Sequence, residues 1–351
     1  SGVTTVTTQI GDRKYSVNIN FTESYKQGYI YTYTLTLNNT GMEVTSVAVT
    51  PWEEGTTDNG ELGVVLDNKY IVEIEVEEAD TEYAHNVYGF TGTIDWGDGS
   101  TTTYDQLIGW PSHTYATAGK YTVTATGQCG MLMQTDYVEG IPRKKDIIIS
   151  RAATYFAPFI TKIIHIGKDM CLMDMNRAFR EQVKLTEIPQ GIFDGLTEVV
   201  GFYNTFDGCT GLTSIPEGLF DKCTKVTSFA ACFTGCSGIT SIPEGLFDNC
   251  TEVKEFNYTF RGCSGLTSIP EGLFDNCTEV EYFARTFAGC TGVTGESPYT
   301  TIKVDGNDVK VHLYERSLYP EYFTAPEYFS GCFNGCTGLT DIAESGAAGW
   351  N

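Results

Sequence analysis

The 351-residue chain carries 22 Lys and Arg against 45 Asp and Glu, a net charge of −23, which excludes nucleic acid as a partner and disfavours an anionic membrane surface, since both need clustered cations. Hydrophobic residues at 41%, with 13% aromatics, suffice for real cores and exclude a disordered acidic chain. No apolar run approaches the ~20 residues of a membrane span, no signal peptide is visible, and the length allows two or three domains of ~100–200 residues.

Residues 1–55 read as a thin sandwich of four strands. Tyr15, Val17, Ile19 and Phe21 alternate with Ser16, Asn18 and Asn20, and Tyr31, Tyr33, Leu35 and Leu37 alternate with Thr32, Thr34 and Thr36. A period of two buries one sheet face. Asn39-Thr40-Gly41 turns the chain into Val44–Thr50, which Pro51 closes because it cannot donate to a ladder. Residues 31–37 (YTYTLTL) with 45–55 (TSVAVTPWEEG) resemble the carboxyl end of fimbrillin-like proteins of Bacteroides-type bacteria. Residues 53–63 are polar and Gly-containing and read as a linker.

Residues 64–150 read as a second β-module. Tyr70, Val72, Ile74 and Val76 alternate with Glu73 and Glu75, and Tyr121, Val123 and Ala125 form the inward face of a later strand. The segments IDWGDGS (94–100) and HTYATAGKYTV (113–123) resemble the PKD module, an Ig-like sandwich. Asp95 and Asp98 flank Trp96-Gly97. Two readings compete there: a calcium site, since hard cations take carboxylate oxygens, or a turn whose Asp side chains bond their own backbone. Two carboxylates are few for calcium, so no metal is expected.

Residues 179–295 repeat. Phe179, Phe206, Phe233, Phe260 and Phe287 recur every 27 residues, as do Ile188, Ile215, Ile242 and Ile269. Each unit contains a half-repeat that opens F-x-x-C, at Phe206, Phe220, Phe233, Phe247, Phe260 and Phe274. This periodicity predicts stacked coils, each built of two short strands (such as Leu266–Ile269 and Val280–Phe283) and two compact helical turns. The units F-x-G-C-[ST]-G-[LI]-T-S-I-P at Phe206, Phe233 and Phe260 resemble BspA-type leucine-rich repeats, with a degenerate copy at Phe333. Two cysteine ladders follow from the period: Cys209, Cys236, Cys263 and Cys290, and Cys223, Cys250 and Cys277. Stacked side chains point the same way and lie near ~4.8 Å apart, beyond the ~3.5–4.5 Å that disulfide Cβ atoms need. Buried thiols are therefore expected in place of disulfides or a metal site.

Residues 296–328 interrupt the period with a hairpin around Asp305-Gly306 and an aromatic stretch. Tyr314, Tyr319, Tyr322 and Tyr328 read either as a binding platform or as an irregular cap that buries its own rings. Asn257, Tyr258, Arg261, Tyr282 and Arg285 vary between coils and form a second candidate surface, since solenoids recognise partners through variable positions. Trp350 is placed over the last coil as a cap.

The fold class expected is mainly β and multidomain: Ig-like sandwiches at 1–55 and 64–150, then a leucine-rich-repeat solenoid at 151–351. No nucleophile elbow, P-loop, zinc motif or dinucleotide fingerprint is present, and Glu217, Glu244 and Glu271 are copies of one position, which serve the stack and not a unique reaction centre. The expectation is a non-catalytic, cofactor-free, monomeric protein of the cell surface, outer membrane-anchored or secreted, that adheres to a host extracellular protein or glycan. A structural part of a pilus or surface layer is the alternative, and a glycan-active enzyme a distant one. The surface assignment is what the resemblances imply.

Overall fold

The computed structural model describes residues 3–10, 13–20, 29–38, 41–51, 67–105, 110–129, 131–132, 159–170, 172, 174–342 and 349–350. The linker expected at 53–63 and the buried faces expected within 1–55 lie outside the described residues and side chains. The chain divides into two compact units, Ser1–Val65 and Leu66–Asn351. The first contains two antiparallel hairpins, β1 (Val3–Ile10) with β2 (Arg13–Asn20) and β3 (Tyr29–Asn38) with β4 (Gly41–Pro51).

The second unit begins with β5 (Lys69–Val76), β6 (Thr81–Ala84), β7 (Val87–Tyr88), β8 (Thr91–Asp95), β9 (Thr101–Tyr104), β10 (Ser112–Tyr115), β11 (Gly119–Gln128), β12 (Met131–Leu132) and β13 (Ile160–Ile166). Five of these form one antiparallel sheet in the order β13-β5-β11-β8-β9. Alternation in β5 buries Tyr70, Val72, Ile74 and Val76 completely or nearly so. Val123 and Ala125 are buried beside them, while Tyr121 is only half-buried and stacks on Tyr115 at 4.1 Å. The edge strand β13 carries two register shifts against β5, irregularities of the kind that blunt an edge against further pairing.

This sheet closes one end of the repeat stack. The Tyr70 and Phe179 rings lie 6.4 Å apart, Asn86 Nδ2 donates to the Ala178 carbonyl at 2.7 Å, and Ile160 N–H donates to Gln182 Oε1 at 2.8 Å.

The coils differ from the expectation of two short strands each. The N–H groups of Phe202, Asn204, Phe206 and Gly208 donate to the carbonyls of Ser228, Ala230, Cys232 and Thr234 on the next coil, at 2.7–3.0 Å. The intervening N–H groups of Thr205, Asp207 and Cys209 instead bond three residues back, at 3.0–3.3 Å. Half the donors are thus spent within turns, so a continuous strand ladder cannot form. Only single parallel bridges remain, running Gly201, Ser228, Glu255, Tyr282, Tyr328. The Leu266–Ile269 side carries two backbone inter-coil bonds, Thr267 N–H to the Thr240 carbonyl at 3.3 Å and Thr294 N–H to the Thr267 carbonyl at 3.0 Å.

The turn wall places two residues per coil in the left-handed region, and one of the two rungs is held by Glu181 and then by Gly208, Gly235, Gly262, Gly289 and Gly335. On the other, Arg177, Asn204, Ala231, Tyr258 and Arg285 have φ between 54° and 61°, and Gly331 holds that rung in the last coil at 65°. Left-handed backbone costs ordinary residues ~1–2 kcal/mol, with Gly and Asn the tolerant exceptions.

Inside, rings stack in columns. Phe179, Phe206, Phe233, Phe260, Phe287 and Phe333 follow one another at 5.5–5.8 Å, and Phe193, Phe220, Phe247 and Phe274 at 6.0–6.1 Å. All eleven described cysteines are free and buried. The thiols of Cys209, Cys236, Cys263, Cys290 and Cys336 each donate to a Phe carbonyl of the preceding coil, at 2.9–3.1 Å. Burial pushes the Cys223, Cys263 and Cys277 thiols up to about 12, so they stay protonated donors and poor nucleophiles.

One glycine per coil fixes how closely coils approach. A Cβ on Gly238 would lie 2.5 Å from the Leu212 carbonyl oxygen and 2.9 Å from that of Thr210. These are backbone atoms and cannot swing aside. Gly238→Ala is expected to lower stability by about 1–3 kcal/mol, the usual range for overpacking, with a urea midpoint shift as the readout.

After the regular coils come β14 (Thr294–Gly295) and the hairpin of β15 (Tyr299–Val304) and β16 (Asn307–His312). Its Asp305-Gly306 turn has φ of 50° and 82°, as the primed hairpin turn requires. A 3₁₀ helix, Leu313–Leu318, follows, and β17 (Gly338–Leu339) pairs in parallel with β14. Arg316, fully buried, takes the place of the next cysteine in the second ladder. In earlier coils Cys277 Sγ meets the Phe247 and Cys250 carbonyls at 3.7 and 3.6 Å. At the ladder's end Arg316 Nη2 and Nη1 meet the Phe274 and Cys277 carbonyls, both at 2.8 Å. Trp350 seats where a cap was expected: it stacks on Phe329 at 4.6 Å, and its carbonyl accepts from Phe333 N–H at 2.7 Å.

Candidate recognition face

The residues expected on the aromatic insertion separate. Tyr314, partly buried, packs against the main core, stacks on His312 at 5.1 Å and donates to Asp341 Oδ2 at 3.2 Å. Tyr319 packs against a small cluster of Ile302, Val311 and Phe323. Tyr322 is partly exposed, but its hydroxyl donates to the Lys303 carbonyl at 2.5 Å. The structure therefore does not bring these three together as a platform. Tyr328 leaves the insertion altogether. It is the last bridge position of the coil ladder, 55% exposed, and its ring lies flat on Tyr282 at 4.9 Å and 6°.

The coil-edge residues do share one wall. Tyr258 and Arg285 hold the left-handed rung on successive coils, and Arg261 sets its guanidinium 5.8 Å from the Tyr258 ring centroid. Tyr282 and Tyr328 occupy the bridge row beside them. Further along the same wall, Arg177 lies 5.5 Å from the ring of Tyr203, a residue that sequence reasoning passed over. Asn257 is committed to the stack. Its Oδ1 accepts from Ala284 N–H at 2.7 Å and its Nδ2 donates to Glu255 at 2.9 Å. Asn176 makes the matching pair of bonds, to Tyr203 N–H and Asp174, both at 2.7 Å. The recurrence of Asn at one repeat position was the available signal.

Arg261 and Arg285 are exposed and have no carboxylate within 4 Å among the described residues. In contrast, Arg180 pairs with Asp207 at 3.0 Å and Lys225 with Glu198 at 2.6 Å.

Asp95 and Asp98 bond their own turn. Asp95 Oδ1 accepts from Gly97 N–H at 2.9 Å, and Asp98 accepts from Ser100 N–H at 2.9 Å and Ser100 Oγ at 2.6 Å. His113 sits 2.7 Å from Asp98 Oδ2. The Ser100 and His113 bonds hold the Asp98 carboxyl down to about 2. Among the described residues no three His, Cys, Asp or Glu side chains converge as a metal would require.

A Ser, His and Asp do meet at the insertion. Ser297 Oγ donates to Asp341 Oδ2 at 2.5 Å and lies 3.1 Å from His312 Nδ1, which is itself 3.3 Å from Asp341. The hydroxyl is spent on the carboxylate and Ser297 is buried, and serine and carboxylate both crowd one imidazole nitrogen. A relay needs the base between them, with a nitrogen for each. This cluster pins β16 to the last coil. A second feature, an open groove, is lined by repeated acids (Asp194, Asp221, Asp248, Glu217, Glu244) with Lys222.

Residues 178–289 match the family model described as BspA type leucine rich repeat region, in six copies. No curated protein matches the chain. Among the described residues no helix is long and apolar enough to cross a membrane.

Proposed function

We propose that this chain is a non-catalytic surface protein that recognises an extracellular protein or glycan of a host through the coil wall. The observation that carries this reading is that wall: Tyr258, Arg261, Tyr282, Arg285 and Tyr328 depart from the repeat and lie on successive coils of one face. Tyr and Arg are the residues that dominate binding hot spots. The match to BspA-type repeats supports a surface interaction role. In this proposal residues 1–55 are a fimbrillin-like sandwich segment and 64–150 a PKD-like, Ig-fold module. Residues 151–351 carry the recognition solenoid, apart from Ile160–Ile166, which belongs to the preceding sheet, and the chain acts as a monomer presented at the cell surface.

The test is a binding screen of the full chain against immobilised host-matrix proteins and a glycan array. Tyr282→Ala with Tyr328→Ala is expected to reduce specific binding by about tenfold or more, the scale of a hot-spot loss. Circular dichroism and urea midpoint should be nearly unchanged, because both rings are on the surface. Specific binding that survives the double variant would move the site off this wall. No binding at all would favour a structural surface-layer role.

A further inference from the structure

We infer that Tyr258, Arg261 and Arg285 form a cradle that reads the carboxylates of an acidic polypeptide segment; this rests on the recognition reading above and names its partner class. The first observation is the backbone. One left-handed rung is held in turn by Arg177, Asn204, Ala231, Tyr258, Arg285 and Gly331, so Tyr258 and Arg285 stand at the same wall position on successive coils, at φ of 61° and 54°.

The second observation is charge. The chain carries a net charge of −23, and on this wall Arg180 and Lys225 find carboxylates at 3.0 and 2.6 Å. Arg261 and Arg285 find none within 4 Å among the described residues and face solvent. The bond from Tyr258 N–H to the Ala284 carbonyl, 2.9 Å, places Tyr258 directly beside Arg285 of the next coil. Arg261 sets its guanidinium 5.8 Å from the Tyr258 ring centroid. Guanidinium forks carried on neighbouring coils suit paired carboxylates, since each fork donates two parallel N–H bonds.

The third observation selects polypeptide over sugar. Sugars stack on open ring faces, but Tyr282 and Tyr328 cover each other face to face and Arg261 lies over Tyr258. Tyr and Arg side chains side by side are the chemistry of a protein interface. Glu255, Glu281 and Glu327 lie near Tyr282 and bound the cationic patch on that side, so the acidic run must be short and turned toward the arginines.

The test uses the full chain and three labelled probes: a short peptide of alternating Glu and Tyr, the same peptide with Gln for Glu, and a chondroitin sulfate oligosaccharide. The Glu peptide should bind, and the Gln peptide about tenfold more weakly or not at all. Y258N, R285N and R261Q should each weaken the Glu peptide severalfold, with R285N and Y258N at unchanged or raised melting temperature because Asn suits that rung. R285K should restore only part of the binding, since an ammonium lacks the fork. Equal binding of both peptides, full affinity in the Asn variants, Arg-dependent binding of the oligosaccharide alone, or no binding of any probe would each overturn the inference. If host-matrix binding persists in R285N and R261Q but is lost on removing Tyr282 and Tyr328, this inference falls while the recognition role stands. If the screen finds no binding, both fall.

Discussion

Arg316→Ala is expected to destabilise the second unit by about 3–5 kcal/mol, the range seen when one partner of a buried polar contact is deleted and a cavity is left. The guanidinium is fully buried, and burial lowers its pKa only to about 10, so it stays charged at neutral pH. It lies 4.6 Å from the Phe323 ring and 5.8 Å from that of Phe283. What holds it is the geometry of an interrupted repeat. Each coil leaves two carbonyls for the next coil's thiol, but the insertion removes the cysteine that would meet Phe274 and Cys277. Two orphaned buried carbonyls cost about 1–3 kcal/mol each. Arg316 supplies one N–H to each, at 2.8 Å. Arg316→Met restores apolar volume but not the donors and should still lose about 2 kcal/mol or more. Arg316→Lys should fall between, with one point donor for two acceptors. Urea denaturation of the full chain measures all three. A Met variant as stable as the parent would show that the carbonyls do not depend on the guanidinium.

The repeat was legible because its period forces like residues onto one column: the Phe stacks and the free thiols both follow from spacing alone. The insertion hairpin was legible for a local reason, since Asp305-Gly306 permits only a narrow set of turns. What spacing could not reveal was the hydrogen-bond partition within a coil. Whether Thr205 N–H bonds back to Phe202 or across to a neighbour is decided by three-dimensional closure, and that choice replaced the expected strands with turns. The insertion aromatics misled for a related reason. Tyr314, Tyr319 and Tyr328 look alike in sequence, yet one sits against the main core, one against a satellite cluster and one rejoins the ladder. Composition cannot tell these apart, because the ladder resumes only where Tyr328 meets Tyr282. Of the candidate wall, variation between coils drew attention to Tyr258, Arg261, Tyr282 and Arg285, which share one face. It also drew in Asn257, whose variability reflects an occasional hydrogen-bonding device and not an open position. Arg316 gave no sequence signal at all, since nothing local marks an arginine that will substitute for a missing thiol.

Acidification should unfold the sheet end of the molecule through His85. This imidazole is fully buried, stacks on Tyr70 at 5.2 Å and shares one hydrogen bond, 2.7 Å, between Nδ1 and the Tyr83 hydroxyl. Its Nε2 has no hydrogen-bond partner. Protonation would place a charge there with no anion in contact, and burial accordingly lowers the pKa from 6.5 to about 3. The unfolded chain therefore binds a proton near pH 6.5 that the folded chain refuses. Stability is fully present above that pH and falls as pH drops from 6.5 toward 3, by about 1.4 kcal/mol per unit and about 5 kcal/mol in all. Carboxylates such as Asp98 and Glu73, whose folded pKa values are lowered, act only at lower pH, as they begin to titrate near 4 in the unfolded chain. The interval between pH 6.5 and 4.5 thus isolates the histidine by difference with a His85→Leu variant. That variant orphans the Tyr83 hydroxyl and should be less stable at pH 7 by about 1–3 kcal/mol. Its unfolding free energy should nevertheless decline less steeply across the interval, so the two curves converge or cross as pH falls. Parallel curves would mean that the fold admits the imidazolium, and that the Tyr70, Tyr83 and Trp96 rings around it open before the chain unfolds.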